Sequence, residues 1–447
     1  MEFCESYSSH FVQQGMNSVH HARCYLTGLL GTQRRKNIET IENDVAESDY
    51  QGMEQFISSS PWKHEPLMDQ LAQDIDGLIG SDQEAALIID ESSFLKKGSS
   101  SVGVQRQWSG RAGKVENCQV GVFAALANGE RMALCDFRLF LPESWAGDEA
   151  RCQKAKIPLE HRRHQPKWQQ ALEMVAQARQ RGMRFGWVGA DSLYGATADF
   201  INGVEELGEK FVADVHVSNR IWTQEPLLEK PLETGSKGKG WRRHRDRLSA
   251  ENQARYISVK EWAEAHFEAE SREIVYRKGT KGPLKARIWI SEVWTWEPSW
   301  KGGPRRRMLI VRQDGSGNMK YSLTNFESGL AWERYGYLQG QRFWVEHAFH
   351  EAKSHLGMAQ YQVRVWRGWH HHMALSALAM LFLLKEQIRT HQSTPLLSAR
   401  DVTELLNLYL PRRAVTEEEV LQQIATRHRK RQRDIERRSR IKENLTK

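Results

Sequence analysis

Three acidic residues in this sequence stand where chemistry on a phosphate would need them. Asp90 closes the apolar run Ala86-Leu87-Ile88-Ile89, Asp191 closes the run Phe185 to Ala190, and Glu346 lies in a stretch with helical spacing. A short continuous apolar run reads as a strand buried on both faces, and open α/β sheets place their sites beyond the carboxyl ends of parallel strands. Arg342 precedes Glu346 by four residues and Lys353 follows it by seven, so one helical face carries all three. Carboxylates from separate elements supply the hard oxygens that Mg²⁺ prefers. Two such ions about 3.5–4 Å apart can activate an attacking oxygen and stabilise a leaving one. The expectation is a catalytic and metal-ligating set of Asp90, Asp191 and Glu346 holding two Mg²⁺, for which Mn²⁺ can substitute. Arg342 suits bidentate phosphate contact and Lys353 supplies a point charge. Glu351 is the alternative third ligand, but it lies off the shared face. Singly, each carboxylate would more often be a cap or a helix-surface residue; their joint placement carries the argument only together with the motifs described below.

The elements that must position these residues follow from pattern. Helical spacing marks Ala22 to Leu30 and Pro66 to Leu78, with basic Arg34-Arg35-Lys36 between the helices. From Ala85 the pattern changes to strands. The strand ending at Asp90 leads into a basic, Gly/Ser-rich loop, Lys96 to Gly113. Strands Gln119 to Leu126 and Arg131 to Leu141 follow, joined by the hairpin turn Asn128-Gly129. A helix Lys167 to Arg181 is stopped by Gly182. The strand ending at Asp191, a helix Thr197 to Leu207 and a strand Phe211 to Val217 complete the run. Between Ser218 and Glu333 the chain becomes rich in Gly, Trp and Arg, with strand-like runs at Arg287 to Trp296, Met308 to Arg312 and Lys320 to Thr324. Helices near Arg342 to Leu356 and His370 to Ile388 come next. The tail beyond about Pro411 is basic and at best marginally helical.

Composition narrows the partners. With 447 residues, net charge +8, 40% hydrophobic and 27% charged residues, the chain is globular in character and long enough for two or three domains. No stretch approaches the roughly 18 apolar residues of a membrane span, and the N-terminus lacks a basic region followed by an apolar run. Five scattered cysteines without a C-x-x-C pair suit a reducing cytosol. Positive charge concentrates in Lys237 to Arg247 and Arg427 to Arg440. Such blocks are often solvated tails, yet two in one chain favour a polyanion partner. Lys96, Lys97, Arg106 and Arg111, in the loop after Asp90, and Arg364 and Arg367, after the helix of Glu346, are expected to contact DNA. Trp289, Trp294, Trp296 and Trp300 could stack on an unpaired base, although strand tryptophans are more often core. His370, His371 and His372 point in different directions on a helix and do not read as a metal site. Gly110 to Lys114 has the wrong spacing for a phosphate loop, and neither H-E-x-x-H nor G-x-S-x-G is present.

The spacing R-x3-E-x6-K, carried by Arg342, Glu346 and Lys353, resembles the signature of the insertion-sequence-4-like DDE transposases. That family's pattern opens with a tyrosine where this chain has Gln339; Tyr337 lies two residues earlier. The stretches Leu87 to Gly110, Glu116 to Phe123, Gly189 to Gly195 and Tyr361 to Ser376 resemble the insertion-sequence-701 branch in the same order, so the likeness spans about Tyr25 to Leu384. It implies an α/β, RNase H-like catalytic core with a mixed sheet, interrupted by a β-rich insertion. The expected division is 1–80, a helical DNA-binding domain; 81–217, the first part of the core; 218–333, the insertion; 334–390, the second part with the catalytic helix; and 391–447, a basic tail. The resemblance further implies metal-dependent cleavage at element ends and strand transfer into target DNA. Double-stranded DNA would be the partner, a homodimer in a synaptic complex the working form, and the bacterial cytoplasm, at the nucleoid, the location. The alternative is a catalytically inactive or domesticated DNA-binding protein derived from such a transposase. Retention of three carboxylates with Arg342 and Lys353 argues against it. A nuclease that cuts without joining is a third reading.

Overall fold

The computed structural model describes residues 2–13, 15–31, 35–229, 246–279, 282–298, 300, 303–394, 397–414 and 416–445. Arg34 and nearly all of the basic segment Lys237 to Arg247 lie outside the described residues.

One mixed, ten-stranded sheet organises the chain. Its strands are β1 (Ser81–Leu95), β2 (Gln105–Ser109), β3 (Lys114–Asn128), β4 (Arg131–Leu139), β5 (Phe185–Ala190), β6 (Phe211–Asp214), β7 (Arg272–Gly279), β8 (Gly282–Thr295), β9 (Arg305–Gln313) and β10 (Met319–Thr324). Across the sheet the order is β7-β8-β9-β10-β6-β5-β1-β3-β2, with β4 also paired to β3. Only β1/β5 and β5/β6 are parallel. They are connected through helices, α5 (Lys167–Gln180) before β5 and α6 (Ala198–Glu206) after it, as parallel pairing requires. The turn Asn128-Gly129 closes the β3–β4 hairpin, with Asn128 opposite Arg131 and Gly129 at φ +61°.

The N-terminal helices α1 (Val19–Leu30), α2 (Ile38–Asp44), α3 (Tyr50–Ser58) and α4 (His64–Ile79) pack with the long α10 (Trp366–Thr390). His370, His371 and His372 are buried there. The two ring nitrogens of His371 lie 2.9 Å from the carbonyls of Ile57 and Trp62, of which the neutral ring donates to one, and His372 bonds Tyr25. Burial pushes His370 down to about 3 and the other two to about 4, so they serve as neutral core residues. α4, α10 and α9 (Phe343–His355) lie against β3 and β4. Across β7 runs α8 (Trp332–Gly340). A Cβ at Gly336 would come within 2.2 Å of Ile274, so glycine there permits the close approach. A second, smaller core joins α7 (Val259–Glu270) to β8 and β9 through Phe267, Trp289, Leu309 and Val311. Residues 218–333 thus place four strands in the same sheet, joined to its centre by β10 against β6.

Several elements differ from the sequence expectation. β1 does not stop at Asp90; its parallel partner ends, but antiparallel pairing with β3 carries it to Leu95 opposite Cys118. The Lys96 to Gly113 loop contains β2, whose hairpin with β3 curls back until the hydroxyls of Ser109 and Ser93 meet at 2.8 Å. β7 and α7 were not expected, and β6 ends at Asp214 rather than Val217. The basic tail holds α11 (Ala399–Tyr409) and α12 (Glu417–Leu445), a 29-residue helix whose first turn is acidic, as the helix dipole favours. No helix among the described residues is long and apolar enough to cross a membrane. All five cysteines are free and buried.

Ile88 is fully buried in β1 at the centre of the sheet. Ile88→Ala should cost about 2–5 kcal/mol, read as a melting temperature several degrees lower by calorimetry. An unchanged value would show that β1 is not part of the stability core.

Candidate active site

The parallel ladder of β1 and β5 ends on the pair Ile89 and Ala190, so Asp90 and Asp191 are the next residue on each strand. On the other side of β5, Ala190 pairs with Ala213, which puts Asp214 level with Asp191. Three aspartates therefore stand in a row where the parallel pairing of three neighbouring strands ends. Asp191 leaves its strand as the cap of a short helical turn (Ser192–Gly195), accepting from the backbone N–H of Leu193 at 3.0 Å and of Tyr194 at 3.4 Å. That turn packs tightly on β6: a Cβ at Gly195 would lie 2.0 Å from the Asp214 carbonyl oxygen.

Across the row lies the start of α9. Arg342 caps it, and its guanidinium reaches Asp214 at 2.8 Å, Glu346 at 2.7 Å and Asp90 at 3.6 Å. Its side chain is 17% exposed, whereas Glu346, held on the same guanidinium, is 52% exposed. Burial opposes the arginine's charge, but Asp214, Glu346, Asp90 and Asp191 outweigh it and raise its pKa. One turn from the end of α9, Lys353 donates to the Ser93 carbonyl at 3.3 Å. Burial brings its ammonium down to about 8.

Burial, followed by the neighbouring charge of Asp191, pushes the Asp90 carboxyl up to about 7, against partial relief from Arg342. Burial also raises Asp191. The cluster is therefore short of positive charge even with Arg342 in place. Among the described residues no three His, Cys, Asp or Glu side chains converge tightly enough to hold an ion as they stand, and the guanidinium between Asp90, Asp214 and Glu346 explains why. The donor set nonetheless suits a hard divalent cation: it is all oxygen, partly desolvated and excess in negative charge. Beside it the Tyr194 hydroxyl and one Glu91 carboxylate oxygen are buried without a hydrogen-bond partner.

Asp214 escaped sequence reading. Its signal was present, since Phe211-Val212-Ala213-Asp214 repeats the apolar-run-then-Asp pattern of the other two strands. The oxygens of Asp214 are already engaged, one accepting from Ser322 at 2.6 Å and the other holding Arg342. Ser322 in turn accepts from Gln339 at 2.8 Å, so the residue at the family's tyrosine position feeds this network from within. Tyr337 bonds the Glu84 carbonyl, near the opposite end of β1, and does not replace that tyrosine.

The basic residues divide. Lys97, Arg106, Arg111 and Arg364 are exposed. Lys96 lies over the Tyr361 ring at 3.5 Å, and Arg367 donates to the carbonyls of Ser59 and Ser60. Glu351 is 7% exposed, faces His347 and stands apart from the cluster. Trp289 is buried and bonded to Glu270, and the Trp300 indole donates to the Ala198 carbonyl. Those two are committed to the fold.

With carboxylates at adjacent strand ends and a basic-acidic helix across them, the site has the layout of a phosphodiester-cleaving centre. The family model described as DDE superfamily endonuclease matches residues 12–283, more than half of the chain, and the chain belongs to that family. The match includes Asp90, Asp191 and Asp214 and stops before Glu346. A "probable transposase for insertion sequence element IS701" from Microchaete diplosiphon is 27% identical over 230 residues, 49% of this chain and 54% of that protein. The chain thus spans about half the length of the curated relative it matches. Among solved structures, a piggyBac transposase synaptic complex with hairpin DNA aligns with 92% of this chain and 76% of its own, at 7% identity and a TM-score of 0.42, too low to establish a shared fold.

Asp90 allows a direct test of the charge imbalance in metal-free buffer. Its folded pKa of about 7 lies above the ordinary 3.8, so the folded state keeps a proton that the unfolded state loses. Stability is therefore lost as pH rises from about 4 through 7. Asp90→Asn removes that penalty, which is on the order of a few kcal/mol. The variant should melt above wild type at pH 8, with the gap shrinking towards pH 4. A pH-independent gap would refute the assignment.

Proposed function

We propose that this chain is a DNA transposase of an insertion sequence, with an RNase H-like catalytic core that cleaves element ends and transfers them into target DNA. The observation that carries the reading is the level placement of Asp90 and Asp191 at adjacent parallel strand ends, with Arg342, Glu346 and Lys353 arrayed across them. The strand order β4-β3-β1-β5-β6, three antiparallel strands followed by two parallel ones, supports the RNase H-like core. In this reading Asp90, Asp191 and Glu346 are the catalytic carboxylates and hold two Mg²⁺, with Mn²⁺ able to substitute. When bound, the ions would supply Lewis-acid activation of the attacking oxygen and stabilisation of the leaving one.

The chain's own residues do the rest. Asp191, fixed as a helix cap, presents its second oxygen to the cleft. Asp214 and Ser322 hold Arg342 from behind, so its fork can turn towards a phosphate. Lys353, desolvated over the Phe94 and Phe349 rings and donating to the Ser93 carbonyl, gains a counter-ion when a phosphate enters. Water attacks the phosphate at the element end, a P–O bond breaks, and the departing 3′ oxygen takes up a proton. The freed 3′-OH then attacks a phosphate of the target, forming the new P–O bond as one target P–O bond breaks and the displaced target 3′ oxygen takes up the proton. Lys97, Arg106, Arg111 and Arg364 are exposed towards backbone contact. We assign residues 1–80 to DNA binding, 218–333 to the insertion and 391–447 to a basic tail, and we expect two copies to act together on paired ends in a bacterial cytoplasm.

The test is incubation of purified protein with Mg²⁺ and DNA carrying the ends that flank its gene, beside Asp191→Ala. Nicking and joining by wild type, lost in the variant and without Mg²⁺, are the expected result. Tight binding with no cleavage by either protein would replace this reading with a non-catalytic DNA-binding protein.

Arg342 provides a second test, whose ion-binding measurement needs no DNA. If its guanidinium competes with cations for the carboxylates, Arg342→Ala should bind Mn²⁺ roughly tenfold more tightly by calorimetry, while losing cleavage. Equal or weaker ion affinity would exclude competition.

A further inference from the structure

Trp108 stands apart from the other tryptophans described. Trp62, Trp145, Trp187 and Trp369 are fully buried, whereas Trp108 is 62% exposed and is the one tryptophan among the exposed large hydrophobic residues described. It sits on β2 directly opposite Val115, itself 48% exposed. Arg106, two residues earlier, shares its face of the strand and is exposed. Between Lys96 and Val115 the chain carries Lys96, Lys97, Arg106, Arg111 and Lys114 and no acidic residue. Lys114 pairs with Glu116 at 3.0 Å, just beyond. An exposed aromatic ring set among cations is suited to a base stacked over a polyanionic backbone.

The hairpin's curl sets where that surface lies. Ser109 is opposite Lys114 and Ser93 opposite Val120, so on a flat sheet they would be about 20 Å apart along β3. Their hydroxyls instead meet at 2.8 Å, and the Ser93 carbonyl accepts from Lys353. Arg111 at the hairpin tip is close enough to depress the Lys353 ammonium, second to burial. The tip is therefore folded beside the carboxylate cluster. Ser109 points inwards at Ser93, so Trp108, next in the strand, points outwards.

We propose that the Trp108 face of the β2–β3 hairpin is a stacking platform for an unpaired DNA base flanking the phosphate at the carboxylate cluster, rather than for the base attached to that phosphate. The proposal rests on the transposase reading for the identity of the DNA. Arg106 and Arg111 hold the backbone on either side of the stacked base, and Val115 extends the apolar floor. This contact does not choose among bases, because every base offers a π face.

The experiment measures binding by the full-length protein to two probes: a fully paired duplex and the same duplex with unpaired nucleotides next to its end, one of them a fluorescent adenine analogue. Wild type should prefer the unpaired probe and quench the analogue. Trp108→Ala should lose roughly tenfold in affinity for that probe, with little change on the paired duplex and no quenching. Trp108→Phe should keep most of both, and the exposed position should leave the melting temperature of each variant unchanged. Equal loss on both probes, no loss on either, or a wild type without preference would overturn the platform. Wild-type cleavage is assayed in parallel. A Trp108-dependent preference without cleavage would leave the platform standing and remove the transposase reading.

Discussion

Parallel pairing of β1, β5 and β6 forces three aspartates to the same level, and the rest of the site is arranged around that electrostatic problem. Neighbouring strands lie about 4.8 Å apart, and two carboxylates at such a spacing repel by on the order of 3 kcal/mol at a protein-like dielectric. Two responses are visible. Asp90, through burial first and the charge of Asp191 second, holds its proton up to about pH 7, and Arg342 is drawn in among Asp90, Asp214 and Glu346. The strain can be tolerated because β1 is anchored elsewhere. It pairs with β3 along eleven residues and carries a fully buried apolar run, Ala85 to Ile89. A sheet whose centre is this well buried can afford a discordant end.

The segment between the second aspartate and the helix of Glu346 is part of that arrangement. β10 pairs with β6 so that Ser322 lies opposite Asp214 and donates to it. Gln339 on α8 donates to Ser322. A continuous path of hydrogen bonds and ion pairs therefore runs Gln339, Ser322, Asp214, Arg342, Glu346, crossing two strands and two helices. Removing β10 would leave Asp214 without its hydroxyl partner and Arg342 with a looser anchor. Gln339 also fits this account of its position: a buried amide, 3% exposed, can donate into the network where a phenol would have to be accommodated differently.

How far the sequence could be read depended on how local each determinant was. Asp90 and Asp191 were legible because an apolar run ending in a carboxylate is a local pattern, and Arg342, Glu346 and Lys353 because helical spacing is. Asp214 follows the same pattern, but the continuation Val215-His216-Val217 hid the strand end. The true extent of β1 was hidden by Glu91-Ser92-Ser93, whose polarity suggested a loop. The structure gives these residues long-range partners, Lys167 for one Glu91 oxygen and Ser109 for Ser93. α7 did carry a local sign that could have been read, the capping box of Ser258 and Glu261. Arg342 was legible as a cation; its placement between carboxylates was not, since Asp90 and Asp214, two of its three partners, lie on strands more than a hundred residues away in sequence.

Arginine at this position does something lysine could not. Its fork binds Asp214 through Nε and Glu346 through one terminal nitrogen, leaving the other terminal nitrogen on Asp90 at 3.6 Å, the longest of the three contacts. A point-like ammonium would have to give up one partner to gain another, whereas a planar guanidinium can keep two and exchange the third. The contact easiest to exchange is the one to Asp90, the carboxylate most in need of a cation. In the proposed reading, a phosphate arriving at α9 competes for that nitrogen, and the charge it withdraws from Asp90 must be replaced by the ions that a phosphoryl-transfer centre needs. Substrate entry and cation binding would then favour each other through one side chain, with Asp214 holding that side chain in place throughout.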